Sequence, residues 1–237
     1  MKQIADYIGT ELEVFAHATN WRAYWQSQVR PYLGREVLEV GAGIGTIVKD
    51  LYSSDIRRWV ALEPDVAMAN KLRSDQEAGF LGASCEIHCG SLEFLASAEA
   101  FDSALYIDVL EHIEDDREEV RRARDHLRPG GHLIILVPAH QALYTPFDAA
   151  IGHFRRYNRR QLLSLRPPGM SLVRARYLDS VGLLASVGNK LLLKSAKPSL
   201  RQILLWDRAM VSASRVVDRL FGYHFGKSLL VVWRREQ

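Results

Sequence analysis

Apolar and polar positions repeat in one order along the first two thirds of the chain: a short β-forming run, then a helically spaced segment. Arg35 to Val40 supplies the alternating apolar positions of a buried strand, and Ile44 to Leu51 restarts at helical spacing. Arg57 to Glu63 predicts a second strand and Asp65 to Gln76 its helix, with Asp65 as N-cap. Ser84 to Cys89 predicts a third strand followed by a short helix over Ser91 to Ser97, and Ala104 to Val109 a fourth. Ile113 to Leu127 is helically spaced, with its acids first and its bases last, as a helix dipole favours. Pro129-Gly130-Gly131 ends that helix, and His132 to Val137 is the fifth strand. Such alternation predicts a parallel sheet with helices on both faces.

The flanks follow other patterns. Residues 1 to 9 form an arm carrying Tyr7, and Thr10-Glu11-Leu12-Glu13 fits a capping box that opens a helix reaching Val29. Pro138 to Arg160 has no clean period and is crowded with His140, Tyr144, Phe147, Asp148, His153, Arg155, Arg156 and Tyr157. Long aromatic-rich loops at the carboxyl end of a strand are usually functional. Leu172 to Tyr177 predicts a sixth strand. Apolar helices follow at Asp179 to Leu193 and Ser199 to Phe221, the second with Gly222 as C-cap, and Gly226 to Arg234 is a last strand.

The chain is organised around Val37-Leu38-Glu39-Val40-Gly41-Ala42-Gly43-Ile44-Gly45-Thr46, where a strand runs into a turn with glycine at every second position. Those glycines let the backbone turn sharply and lie against a flat ligand. By itself such a turn leaves a purely structural reading open. The G-x-G-x-G spacing differs from the G-x-G-x-x-G that seats a pyrophosphate on a helix N-terminus. An acid, Glu63, follows 18 positions after Gly45, at the tip of the neighbouring strand, where it can accept from both hydroxyls of a ribose.

In these motifs the chain resembles the class I S-adenosylmethionine-dependent methyltransferases. VLEVGAGIGT resembles their first motif, ALEPD their ribose-binding acid, FDSALYIDVLEHI their strand-four motif, and LRPGGHL the turn before their fifth strand. The resemblance covers residues 35 to 140 and implies a doubly wound, seven-stranded, mostly parallel α/β sheet with helices on both faces. Its last strand is antiparallel, with helical cap elements at both ends. It implies S-adenosyl-L-methionine as cofactor, with Glu39, Gly41, Ala42, Gly43 and Gly45 under the methionine and ribose. Glu63 with Pro64 would lie at the ribose, Ser91 and Leu92 at the adenine, and Asp108 near the amino group. Ser91 departs from the Asp that commonly receives the adenine amine.

A sulfonium methyl donor is already activated, so the protein needs only alignment, water exclusion and, where required, removal of a proton. Candidate catalytic residues are His112, after strand four, and His153, Tyr144 and Arg155 in the aperiodic segment. Candidate acceptor-binding residues are Tyr7 and His17, on the N-terminal elements that cover the cofactor in the resembled family, with His140, Arg156 and Tyr157. An arginine here can grip a carboxylate or phosphate, or anchor a lid through a salt bridge. No His, Asp and Glu cluster stands at ligand spacing, and Cys85 and Cys89 lie too far apart along one strand for a disulfide, so no metal is expected.

Composition narrows the picture only slightly. At 237 residues with 25% charged and 48% hydrophobic residues, the chain suits a single domain, and a net charge of +3 implies no polyanion partner. Absence of a basic-then-apolar start or a membrane-length apolar run leads to a cytoplasmic expectation. The expected organisation is an arm and lid helix at 1–33, a cofactor core at 34–139, an acceptor-site insertion at 140–171, and C-terminal strands and cap helices at 172–237. The apolar C-terminal helices leave an acceptor-site cap, a homodimer face and peripheral membrane contact open. The expected activity is methylation of a small-molecule acceptor, on oxygen first and on a heterocycle or amine nitrogen second, without nucleic acid. Rivals from other classes are a nicotinamide-dependent oxidoreductase, disfavoured by the glycine spacing, and a non-catalytic cofactor-binding subunit.

Overall fold

The computed structural model describes residues 16–82, 84–188 and 200–237. The strands are β1 (Glu36–Val40), β2 (Arg58–Glu63), β3 (Cys85–Cys89), β4 (Phe101–Ile107), β5 (Leu127–Pro138), β6 (Met170–Leu178) and β7 (Ser228–Arg235), in one sheet ordered β3-β2-β1-β4-β5-β7-β6. β1 to β5 pair in parallel, and β7 runs antiparallel to both β5 and β6. β7 is thus the reversed strand, and β6 points the same way as β5. The strand order reverses between β1 and β4, which makes the carboxyl ends of those two strands the place for a ligand crevice.

The central strands are buried on both faces, as their near-continuous apolar runs require. One face carries α1 (Thr19–Val29), α2 (Thr46–Leu51) and the C-terminal helices; its core includes Trp25, Val48, Trp59, Leu105, Ile134 and Ile203. The other face packs Leu38, Tyr106, Ile135 and Trp233 against Val120 and Ala123 of α4 (Asp116–Asp125). α3 (Val66–Glu77) follows β2, and Asp65 caps it by accepting from the Met68 amide at 2.9 Å, while the short helices α5 (Pro146–Ala150) and α6 (Arg159–Ser164) lie between β5 and β6.

Three expectations need correction. β5 starts at Leu127, so Pro129-Gly130-Gly131 lies inside a bulged strand and not before it. Gly131 is required there, because a Cβ would lie 2.9 Å from the Arg128 carbonyl oxygen. The helix expected over Ser91 to Ser97 is one turn, Leu92–Phe94. The long C-terminal helix is split into α8 (Leu200–Leu205), a wide π turn at Trp206–Val211, and α9 (Ser212–Leu220).

That wide turn places Asp207 over the N-terminus of α1, where it accepts from the Asn20 amide at 3.1 Å and the Trp21 amide at 2.8 Å. Asp218 of α9 similarly takes the Asp179 and Ser180 amides at the start of α7 (Ser180–Gly188), and the Tyr24 hydroxyl of α1. Buried acids of the C-terminal helices therefore fix α1 and the start of α7. Tyr7, the Thr10–Glu13 capping box and the end of the helix expected to reach Leu193 lie outside the described residues. Among the described residues, no helix is long and apolar enough to cross a membrane.

Candidate functional site

The turn after β1 is built from three glycines with positive φ, Gly41 (72°), Gly43 (56°) and Gly45 (78°). At Gly41 a Cβ would also come within 2.5 Å of Val109 Cγ2, so the turn must be bare where it passes the end of β4. Glu63, 6% exposed, holds this turn from the end of β2: Oε2 accepts from the Gly43 amide at 2.7 Å and Oε1 from the Asp65 amide at 2.9 Å. Burial raises its pKa, and those two amides oppose the rise. Each oxygen accepts one bond from these amides and keeps a second lone pair for a ligand hydroxyl.

Glu39 lies on β1 and is fully buried. Its Oε2 accepts from Trp59 Nε1 at 2.8 Å, whereas Oε1 has no hydrogen-bond partner among the described residues. Burial pushes this carboxyl up to about 8, against the Trp59 bond. A buried acid with one orphaned oxygen suits a ligand that brings a cation or a donor. A bare turn, a half-occupied acid at the β2 tip and an orphaned acid on β1 fit a nucleoside carrying an amino-acid tail. Leu92 is buried beyond β3, while Pro64 and Ser91 are exposed on the same side.

Past β4 the chain makes a left-handed residue, Asp108 (φ 54°), and then a short turn, Leu110–His112. Asp108 is open to solvent yet sits in a crowded recess, where desolvation raises its carboxyl to about 6. Glu111 is 0% exposed and neither of its carboxylate oxygens has a partner among the described residues. Burial, and then Asp108, push its pKa well up. The aperiodic segment folds across this turn. The Phe154 amide donates to the Glu111 carbonyl at 2.8 Å, and Arg155 bonds Asp116 at 2.6 Å and the Glu114 carbonyl at 2.8 Å.

This closure brings His153 to His112, with ring centroids 4.5 Å apart and planes at 84°. His153 Nε2 lies 3.8 Å from Glu111 Oε1, and its Nδ1 lies 3.1 Å from Asp148 Oδ1. Arg156 grips both Asp148 oxygens, at 2.8 and 3.0 Å, and Thr145 adds two more bonds. Against the effect of burial, these donors hold Asp148 well below the usual carboxylate range. Burial, and then His153, lower His112 to about 4, and the Gly152 backbone hydrogen-bonds its ring. One ligand atom each from Glu111, His112 and His153 falls within 4.8 Å of the others. The sequence holds no such cluster at ligand spacing; here the third member arrives from the insertion through tertiary folding.

Other expected acceptor residues are placed differently. Tyr157 is 2% exposed, its hydroxyl donating to Asp116 at 2.7 Å. Arg156 is committed to Asp148, and Arg155 to Asp116, which is the salt-bridged anchor and not a free grip. His140 is stacked on Tyr177 at 5.2 Å, and its Nε2 pairs with the Gly226 carbonyl at 2.9 Å. Tyr144 donates to the His153 carbonyl at 2.6 Å, and His17 is exposed just before α1. Glu111 and Asp148 were missed as candidates. An acid between Leu110 and Ile113 was the available signal for Glu111, and for Asp148 it was Thr145-Pro146-Phe147-Asp148, a capping box.

The chain is 29% identical over 129 residues to a tRNA U34 carboxymethyltransferase of Klebsiella pneumoniae, across 49% of this chain and 36% of that protein. It thus spans little more than a third of the curated relatives it matches. Among solved structures, coclaurine N-methyltransferase aligns with a TM-score of 0.62 at 14% identity, over 92% of this chain and 72% of that one. The N-methyltransferase NodS of Bradyrhizobium japonicum gives 0.56 at 13%, over 100% and 92%. The [4+2]-cyclase SpnF gives 0.63 at 16%, over 97% and 95%, and likenesses this distant speak for the fold alone. The family profile described as a methyltransferase domain matches residues 17–180, and the chain accordingly belongs to that family, the class I, S-adenosylmethionine-dependent methyltransferases that its motifs resemble.

Proposed function

We propose that the chain methylates an oxygen of a small-molecule acceptor. The observation that carries this reading is the buried Glu111 carboxylate, unpartnered beside His112 and His153, at the carboxyl end of β4 next to Asp108. A hydroxyl acceptor must lose a proton as its oxygen attacks, and this recess offers groups to receive one. A heterocycle nitrogen with a free lone pair needs no such help, whereas an alkylammonium must first lose a proton to the same groups.

S-adenosylmethionine, when bound, supplies a methyl group on a positively charged sulfur. Glu63 accepts from the ribose hydroxyls and the bare Gly41–Gly45 turn allows close approach. Glu39 would receive the tail ammonium, Leu92 with Pro64 and Ser91 would border the adenine, and Asp108 would lie near the amino group. A hydroxyl acceptor taking that methyl group would give up its proton at the recess formed by Glu111, His112 and His153. The Arg155–Asp116 and Arg156–Asp148 pairs hold the insertion over the reacting groups, which aligns the acceptor and excludes water. The test is transfer of isotopically labelled methyl from the cofactor to a panel of phenols, carboxylates, amines and transfer RNA. Label on hydroxyl or carboxyl acceptors is expected. Turnover of amines alone would reassign the atom methylated, and labelling of RNA alone would overturn the small-molecule reading.

A further inference from the structure

We propose that Glu111, His112 and His153 form a binding site for a first-row divalent transition-metal cation, of the class of zinc, cobalt(II) or iron(II). Two imidazoles and one carboxylate converge, with donor atoms mutually within 4.8 Å. Around four-coordinate zinc, with bonds of about 2.1 Å, ligand atoms lie roughly 3.4 Å apart, so side-chain rotations of about an ångström complete the cage.

Two independent observations support the site. Glu111 is wholly buried, and neither oxygen is hydrogen-bonded to another of the described residues, while a protonated Glu111 would equally lack an acceptor. An uncompensated buried carboxylate is costly, and a divalent cation removes that cost. Second, Asp148 Oδ1 at 3.1 Å from His153 Nδ1 fixes the ring so that Nε2 faces Glu111, the carboxylate–histidine support typical of metal sites. Asp148 is itself fixed by Arg156 and Thr145. The donor set of two nitrogens and one oxygen favours borderline ions over calcium or magnesium, which prefer all-oxygen shells. In the loaded site these three side chains hold the cation instead of taking a proton, and the remaining coordination positions are open to an oxygen of the acceptor. That catalytic role rests on the methyltransferase reading above; the binding site itself does not.

The experiment strips the full chain with a chelator and titrates it with cobalt(II), followed by visible absorbance, and with zinc against a chromophoric chelator. No S-adenosylmethionine is present. One saturable equivalent is expected, with affinity lowered about 100-fold or more in Glu111→Gln and His153→Ala and about 10- to 100-fold in Asp148→Asn. Zinc should raise the melting temperature of the wild-type chain but not of Glu111→Gln, a comparison that also detects a misfolded variant. No saturable signal in the wild-type chain, or zinc affinity unchanged in both ligand variants, would overturn the site. Calorimetry of cofactor binding to the metal-free chain, run in parallel, separates failure of this inference from failure of the methyltransferase reading.

Discussion

The Glu63 carboxylate accepts the Gly43 amide at 2.7 Å, so the acid at the tip of β2 holds the glycine turn that follows β1. One side chain thereby shapes the loop and presents lone pairs to a ribose. Glu63→Ala removes a charged hydrogen bond of roughly 1.5–3 kcal/mol to the ligand, and should weaken S-adenosylmethionine binding by about 10- to 100-fold. It also strands the Gly43 and Asp65 amides, so the melting temperature should fall as well. Calorimetry and thermal denaturation on the same variant check both, and unchanged affinity in the folded variant would take Glu63 out of the site.

Glu39 makes a pH-dependent prediction. Its carboxyl ionises near 4.5 in the unfolded chain and only at about 8 in the buried site. Between those values the folded state binds the extra proton, so stability conferred at acid pH is lost as pH rises from about 5 to about 8. Glu39→Gln keeps an acceptor for Trp59 without the charge, and should flatten this slope while weakening cofactor binding. Melting curves from pH 5.5 to 8.5 without cofactor decide it; parallel slopes for the two chains would mean that Glu39 does not titrate this way.

Asp207, 1% exposed, caps α1 from the π turn near the other end of the sequence. Loss of a helix N-cap costs about 0.5–2 kcal/mol, and orphaning the buried Trp21 amide adds to it. Asp207→Asn should retain part of this stability because it keeps an acceptor, and Asp207→Ala should not. Chemical denaturation of the two variants provides the measurement, and equal stability of all three chains would show that water replaces the cap.

These cases mark where the sequence was legible. The β1 turn, Glu63 and the Asp65 cap were readable because each depends on neighbours within a few residues, through turn geometry, strand alternation or capping chemistry. The Pro129-Gly130-Gly131 signal was read as a stop, but Arg128 and Asp102 bind across β4 and β5 and carry the strand through it as a bulge. Asp207 gave no signal, since a wide turn inside an apolar helix leaves the hydrophobic pattern intact. The Glu111, His112 and His153 cluster was half visible: two members are adjacent after β4, and the third arrives only when the aperiodic segment folds back. Tyr157 and Arg155 drew attention for their chemistry, and the fold uses that chemistry on Asp116 instead.

That use of Asp116 sets the last prediction. Its Oδ2 accepts Arg155 at 2.6 Å and the Tyr157 hydroxyl at 2.7 Å, tying the insertion to the first turn of α4. The Arg155 pair is partly exposed, so its deletion should cost no more than about 1 kcal/mol of stability, and Tyr157 still holds Asp116. The Glu114 carbonyl, however, also loses its Arg155 donor, and the segment from Gly152 to Arg155 loses its clamp over Glu111 and His112. Because catalysis depends steeply on alignment, Arg155→Ala should lower turnover about tenfold, roughly 1.4 kcal/mol of barrier. Cofactor affinity should stay within about threefold, since no atom of Arg155 contacts the β1 turn or Glu63 by hydrogen bond or ion pair. Arg155→Lys should recover little, because a single ammonium cannot serve Asp116 and the Glu114 carbonyl in the fork geometry. Steady-state kinetics, cofactor calorimetry and melting temperature on both variants check this. A joint loss of stability and cofactor affinity, with turnover falling only in proportion to the folded fraction, would show that the clamp supports the fold and does not position the acceptor.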